Sequence, residues 1–111
     1  MKQRDIILLP FPFSDQSGVK VRPALILSNN NFNNSSDDLI VCAITTMIKP
    51  SKYSIVIGQD DIEAGVLYEK SSIKVETILK IDKSIVIKKI AAINKRTFSK
   101  VNSIINDIFK E

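Results

Sequence analysis

The sequence predicts one small domain that is mainly β, built as a strongly curved sheet or SH3-like barrel with a single C-terminal helix. Three observations support this fold class. Five to seven short apolar runs are separated by turn-forming residues, and apolar residues recur at helical spacing near the C-terminus. The 111 residues are enough for one hydrophobic core and too few for two. We therefore treat residues 1–111 as one domain.

The N-terminal half contains three predicted strands. Residues 5–13, DIILLPFPF, form a strand that ends near its prolines, because proline cannot donate to a sheet ladder. After a polar loop, Pro23 favours an extended backbone at Arg22, so the second strand is expected to begin with PALILS and to leave Arg22 where loop becomes strand. Residues 29–38 are dense in turn formers, and residues 39–46, LIVCAITT, are predicted to be a buried strand.

The C-terminal half begins with a predicted strand in KYSIVIG and a connection over residues 59–70. In SSIKVET, residues 71–77, a period of two places Ile73 and Val75 on one face of a strand. The same period places three polar residues on the other face, namely Ser72, Lys74 and Glu76. The segment KSIVIKKIAAI predicts a short turn and one further strand.

The last element is an amphipathic helix that begins near Thr97, with Asn94 as its N-cap. Its apolar residues recur at positions Phe98, Val101, Ile104, Ile105, Ile108 and Phe109. Helical spacing brings these side chains to one face, so the helix is expected to dock on the sheet.

Composition excludes several classes of site. The chain has no histidine, so Ser-His and Cys-His catalytic pairs and the commonest zinc ligand are missing. The single cysteine, Cys42, permits no internal disulfide and fits a reducing compartment. The acidic pairs at 37–38 and 60–61 lie in predicted turns and are expected to be solvated, so we expect neither a metal nor a cofactor.

The charge and the hydropathy pattern bear on partners and location. A net charge of +4 makes an anionic partner plausible, with nucleic acid first among them. No apolar run reaches the roughly 20 residues of a membrane helix, and the N-terminus lacks the apolar core of a signal peptide. We therefore expect a cytoplasmic protein that does not contact membranes.

Five polar residues form the candidate site. Arg22 lies at a strand entry, Thr45 and Thr46 end a buried strand, and Lys74 and Glu76 share a polar strand face. Each residue also has an ordinary structural interpretation, as a surface cation, a β-branched strand end or the solvated face of a strand.

The order of these segments resembles the MazF/PemK family of toxin endoribonucleases over nearly the whole chain. Three blocks carry the resemblance: RDIILLPFPFSDQSGVKVRPALILSN, LIVCAITT and SSIKVETILKIDKSIVIKKIAAI. The sequence departs from the family pattern where Lys74 stands for a frequent arginine and Glu76 for a frequent aspartate. Thr77 and Leu79 stand where several members have glutamine and arginine.

The resemblance implies the toxin component of a type II toxin-antitoxin system, with an SH3-like barrel, a homodimer and a neutralising antitoxin. It also implies sequence-specific, metal-independent cleavage of single-stranded RNA or mRNA, which would stop translation and growth. By resemblance, Arg22 is the catalytic arginine and Thr45 the catalytic threonine. Lys74 and Glu76 match a basic and an acidic position at the border of the site.

Residue chemistry is consistent with these roles. In metal-free RNA cleavage the ribose 2′-hydroxyl attacks phosphorus, leaving 2′,3′-cyclic phosphate and 5′-hydroxyl ends. The planar guanidinium of Arg22 suits two phosphoryl oxygens, and the Thr45 hydroxyl can donate to the same oxygens. Glu76 is the nearest candidate general base, provided that the fold buries it.

The predicted RNA-binding residues combine cations, a hydroxyl, an amide and an aromatic ring. They are Phe13, Gln16, Lys20, Thr46, Lys49 and Lys74. Lysines contact phosphates, and Phe11, Phe13 or Phe32 is a candidate platform for an unpaired base. We interpret the loop over residues 14–21 as a substrate lid.

Two alternatives belong to other functional classes. One is a CcdB-like, non-nuclease inhibitor of a protein target such as DNA gyrase, which would not need the arginine and threonine. The other is a non-catalytic RNA-binding barrel, whose RNA affinity would survive the loss of Thr45.

Overall fold

The computed structural model describes residues 1–12 and 19–111, and the predictions for Phe13 and Gln16 lie outside the described residues. Seven strands are present in the described part: β1 (Asp5–Pro12), β2 (Val19–Ile26), β3 (Asp38–Thr45), β4 (Ser54–Ile57), β5 (Ile62–Gly65), β6 (Ser71–Asp82) and β7 (Lys88–Ile93). The helices are α1 (Asn30–Ser35) and α2 (Lys95–Phe109), and 3-10 turns cover Gln59–Asp61 and Lys83–Ile85.

The strands form one curled antiparallel sheet in the order β4-β6-β3-β2-β1-β7-β5. Helix α2 packs against β6 and β4. The predicted class, mainly β with a C-terminal helix, is therefore confirmed.

The sheet buries side chains on both faces, because neighbouring residues of a strand point to opposite sides. Leu25, Cys42 and Ile73 belong to a cluster that includes Phe98 and Val101 of α2, and we call their side of the sheet the helix face. A second buried cluster lies on the other side, which we call the opposite face, and consists of Ile7, Leu9, Ala24, Ile26, Leu39 and Val41.

Strand β2 begins earlier than predicted. Arg22 lies inside it and pairs with Leu9 of β1, so the expectation that Arg22 marks the change from loop to strand was wrong. Strand β3 pairs only with Ala24 and the two residues after it, so in the described sheet this end of β2 has β1 as its one neighbour. Pro23 is tolerated there because its missing N–H is not needed for pairing with β3. Residues 19–21 of the predicted lid belong to β2. Residues 13–18 lie outside the described part.

Two segments predicted as turns or connections contain regular structure. Residues 29–38 include α1, whose first turn is capped by Asn29 through a 2.8 Å hydrogen bond from the Phe32 amide. Residues 59–70 include β5, which pairs with β7. Gly65 lies in β5 at φ +82°, where an added Cβ would be 2.3 Å from the Ile90 oxygen. This short edge strand depends on a contact with β7 that local sequence patterns do not reveal.

Helix α2 has the predicted N-cap and apolar face. The Asn94 side chain accepts a 2.8 Å hydrogen bond from the Thr97 amide, and Phe98 and Val101 are buried. Phe109 is the exception, because 71% of it is exposed. Asp61, predicted to be solvated, is half-buried and joins the helix to the preceding 3-10 turn, since it accepts 2.7 Å from the Thr97 hydroxyl.

Strand β6 carries an irregularity that the period of two does not predict. Cys42 pairs with Ile78, but the next residue, Ala43, pairs with Lys74. Residues 75–77 of β6 therefore have no partner on β3, and the strand continues to Asp82 instead of ending at Thr77. Extra residues of this kind bend a strand and redirect its side chains.

Candidate functional site

Two cross-strand rows place polar side chains on the opposite face of the sheet. In one row, Ala43 of β3 pairs with Lys74 of β6, and Lys74 pairs with Ser54 of β4. In the next row, Thr45 pairs with Ser72. Paired side chains lie about 4.5–5.5 Å apart at Cβ, so these residues form one contiguous surface. The predicted division of β6 is confirmed, because Ile73 and Val75 are buried while Lys74 and Glu76 are exposed.

A cleft of about 360 Å³ opens where β2 and β3 stop pairing. We call it the arginine cleft. Its lining residues come from β1, β2, β3 and the residues after it, and β6: Phe11, Arg22, Ala43, Ile44, Thr45, Thr46, Met47, Lys74 and Thr77. The structure therefore brings together four of the predicted site residues, namely Arg22, Thr45, Thr46 and Lys74.

A smaller cleft of about 160 Å³ adjoins the first and shares Thr45, Met47 and Lys74 with it. We call it the serine cleft. Hydroxyl groups, charged side chains and one methionine line it: Thr45, Met47, Lys49, Ser51, Ser54, Ser72, Lys74 and Glu76. Glu76 and Lys49 thus belong to the serine cleft, and neither lines the arginine cleft.

The Thr45 hydroxyl is oriented by the backbone. Its Oγ1 accepts a 3.1 Å hydrogen bond from the Met47 amide, and the side chain is half-buried between the two clefts. Because the oxygen already accepts, the hydroxyl proton is available to donate to another group. Thr45 is therefore positioned as a hydrogen-bond donor.

Glu76 lines the serine cleft, but the burial expected for it as a general base is not found. Its side chain is exposed on the polar face of β6, whereas the neighbouring Val75 on the helix face is buried. Its carboxylate is close enough to β3 to affect Cys42. Burial, and secondly the charge of Glu76, raise the pKa of the Cys42 thiol to about 12. The fully buried thiol is therefore protonated at physiological pH, which agrees with a structural role for Cys42.

The other predicted RNA-binding residues differ in their placement. Lys20 is exposed and pairs with Phe11 at the end of β2, but it lines neither cleft. Phe11, one of the three suggested stacking residues, lines the arginine cleft, whereas Phe32 is half-buried in α1 and lines neither cleft.

Sequence reasoning missed the small hydroxyl residues that line the serine cleft. The alternation of β6 places Ser72 on a polar strand face without indicating a site, and no local pattern distinguishes Ser51 and Ser54 from other polar residues. Their common feature appears only when β4, β6 and the segment after β3 meet at the serine cleft. The one local signal was the alternation that placed Ser72 beside Lys74 and Glu76.

Two negative findings apply to residues 1–12 and 19–111. No three of their Cys, Asp and Glu side chains come together as a possible metal site. Their helices are also too short or too polar to cross a membrane.

Comparison with known proteins gives a family match over nearly the whole chain. Residues 2–109 match the family described as PemK-like, MazF-like toxin of type II toxin-antitoxin system. No curated protein matches the chain at the sequence level.

Solved structures match the fold at low sequence identity. An endoribonuclease in complex with its cognate antitoxin, from a mycobacterial species, has a TM-score of 0.78 and 17% identity, over 96% of this chain and 92% of that one. A MazE-MazF crystal structure from Deinococcus radiodurans contains a chain with a TM-score of 0.78 and 17% identity, over 97% of this chain and 94% of that one. The Mycobacterium tuberculosis toxin MazF-mt6 has a TM-score of 0.72 and 16% identity, over 93% and 95%.

Proposed function

The chain belongs to the PemK-like, MazF-like toxin family of type II toxin-antitoxin systems, and we propose that it is an endoribonuclease that cuts single-stranded RNA without a metal ion. The observation that supports this proposal best is the arginine cleft. It combines a half-buried guanidinium, Arg22, with a hydroxyl, Thr45, that is oriented to donate. These two groups suit the negative charge of a phosphodiester in its transition state.

In the proposed reaction the 2′-hydroxyl of one nucleotide attacks the adjacent phosphorus, and the bond from phosphorus to the 5′ oxygen breaks. Arg22 and Thr45 donate hydrogen bonds to the non-bridging oxygens as negative charge builds on them. Glu76 accepts the proton of the 2′-hydroxyl, and the leaving 5′ oxygen takes up a proton from water in the open cleft. The products are a 2′,3′-cyclic phosphate and a 5′-hydroxyl.

The positions of Lys74 and Glu76 support their part in this reaction. Lys74 lines both clefts, so its ammonium is available to a phosphate held between them. Glu76 reaches the same region from the serine cleft, and its exposure lets it approach the 2′-hydroxyl of a bound strand. Lys20, Thr46 and Lys49 extend the cationic and hydroxyl surface for the RNA backbone, and Phe13 and Gln16 remain proposed contacts.

The proposed regulator is a cognate antitoxin. A structural relative is an endoribonuclease in complex with its cognate antitoxin. This chain carries a net charge of +4, and Lys49 and Lys74 are exposed beside the clefts. A flexible acidic segment of the antitoxin would therefore be attracted to the same surface as RNA.

A homodimer and a cytoplasmic location complete the proposal. Large apolar side chains outside the clefts remain exposed, including Val56, Ile87 and Phe109, and a second copy would cover part of this surface. Sedimentation equilibrium of the purified protein tests the dimer, because a mass of one chain across the concentration range would contradict it.

The decisive experiment uses a mixed-sequence single-stranded RNA in the presence of EDTA. Wild-type protein, Arg22→Ala and a matched control, Arg96→Ala, are incubated with the RNA, and both new ends are analysed. Arg96 is an exposed residue of α2, outside both clefts.

We expect discrete cuts with cyclic-phosphate ends from the wild type and from Arg96→Ala, and a loss of at least about 100-fold in rate for Arg22→Ala. Equal cleavage by Arg22→Ala would contradict the assigned mechanism. Intact RNA with all three proteins would favour an inhibitor of a protein target. RNA that is bound but uncut would favour a non-catalytic RNA-binding barrel.

A further inference from the structure

The serine cleft contains a buried hydroxyl that the fold does not use. Ser72 is 2% exposed and lies between two strands, paired with Thr45 of β3 on one side and with Val56 of the edge strand β4 on the other. Among the residues that the structure describes, none forms a hydrogen bond with its side chain, whereas the neighbouring Ser71 hydroxyl donates 3.0 Å to the Glu69 carbonyl.

The Ser72 hydroxyl points to the cleft. Every fully enclosed side-chain oxygen or nitrogen in the described residues has a hydrogen-bond partner. An unpartnered Ser72 oxygen must therefore reach the cleft surface, and Ser72 does line the serine cleft. The Ser72 oxygen therefore has no partner within the described protein and is available to hydrogen-bond a molecule held in the cleft.

The chemistry of the cleft favours a nucleobase over a second phosphate. Hydroxyl groups both donate and accept, as the edge of a base requires. Met47 supplies an apolar contact, and it is 68% exposed. Lys49 and Lys74 line the same cleft and can hold the phosphates on either side of the base, while the Glu76 carboxylate repels a phosphate seated in the cleft itself.

The position of the serine cleft places the bound base next to the scissile phosphate. Thr45 and Ser72 lie directly opposite each other, so the serine cleft begins one strand spacing, about 4.8 Å, from the proposed phosphate contact. A nucleotide that flanks the scissile phosphate would place its base there once that base is unstacked.

We propose that the serine cleft is a subsite for one unstacked nucleobase beside the scissile phosphate, and that Ser72 is a specificity-determining residue that hydrogen-bonds this base. This inference rests on the proposed ribonuclease function. It adds the site at which this chain reads RNA sequence.

The test uses a pool of single-stranded oligoribonucleotides with randomised bases, with cut sites mapped by sequencing. Wild type, Ser72→Ala and the matched control Ser103→Ala are compared. Ser103 is exposed on α2 and lines neither cleft. Melting temperatures are measured on the same three proteins, because the Ser72 hydroxyl has no partner in the described protein and its removal should not lower stability.

We expect Ser72→Ala to lose the base preference at one position flanking the cut. Its KM for the preferred sequence should rise about three- to tenfold with kcat within about twofold, and its melting temperature should not fall. A cleavage profile and KM equal to those of wild type would overturn the inference while leaving the ribonuclease function intact. A changed profile together with a melting temperature lowered by several degrees would also overturn it, because Ser72 would then act through the fold. Absence of cleavage by wild type would defeat both proposals.

Discussion

Arg22 and Thr45 occupy matching positions on neighbouring strands, each two residues beyond the last paired residues, Ala24 and Ala43. Because β2 and β3 separate there, the two side chains line a cleft instead of forming another pair of the sheet. Lys74 enters from the third strand, opposite Ala43, whose small side chain leaves room for the cleft. The candidate site therefore results from the point at which one strand pair ends.

We expect RNA cleavage to depend on the hydroxyl group of Thr45 and not on the branched shape of its side chain. Thr45→Val keeps the branched side chain and loses the donor, so kcat/KM for RNA cleavage should fall by about 100-fold or more. Thr45→Ser keeps the hydroxyl and its contact with the Met47 amide, so it should retain most activity. Initial rates on a short oligoribonucleotide measure both variants. Equal rates for Thr45→Val and Thr45→Ser would remove the hydroxyl from the mechanism.

Gly65 is expected to be irreplaceable in β5, whereas Gly58 is not. Gly65 has φ +82°, and an added Cβ would lie 2.3 Å from the Ile90 carbonyl oxygen, so Gly65→Ala should lower the free energy of unfolding by about 2–4 kcal/mol. No atom lies within 4 Å of a Cβ added at Gly58, and Gly58→Ala should change the free energy of unfolding by less than about 0.5 kcal/mol. Urea denaturation compares the two. Similar losses for both variants would contradict the close contact between β5 and β7.

The bond from Thr97 to Asp61 is expected to anchor α2. Thr97 is fully buried, and its hydroxyl donates 2.7 Å to the carboxylate of Asp61, which also accepts 2.9 Å from the Gly58 amide. Thr97→Val keeps the volume and removes this charge-assisted bond, which should cost about 1–2 kcal/mol of unfolding free energy. Ser99→Ala, at an exposed position on the same helix, is the control. An unfolding midpoint for Thr97→Val equal to that of the control would show that the bond contributes little.

Stability is expected to fall in alkali partly through Cys42. Burial, and secondly the Glu76 carboxylate, raise its pKa from 9.0 to about 12. The folded state then holds the proton more tightly than the unfolded chain, so this contribution is complete below pH 9.0 and is lost as pH rises towards 12. The free energy of unfolding of wild type should therefore fall more steeply above pH 9 than that of Cys42→Ala. Urea titrations of both proteins at several pH values measure the two slopes, and parallel slopes would exclude the thiol as their cause.

The sequence by itself determined the local elements. Alternation in residues 71–77 correctly divided buried Ile73 and Val75 from exposed Lys74 and Glu76, and the helical spacing with its Asn94 cap located α2. These features depend on neighbours a few residues apart, so period and capping chemistry are sufficient to predict them.

Only the tertiary structure decided how these elements meet. In the folded chain Arg22 lies within a paired strand, and Ser72 lies opposite Thr45. Residues 75–77 have no partners on β3. Strand register is settled by packing between segments that are distant in sequence, and a shift of one residue would exchange the two faces of a strand. The sequence therefore predicted Arg22 and Thr45 as site residues. The fold shows that the candidate site consists of two clefts and that Ser72 lines one of them.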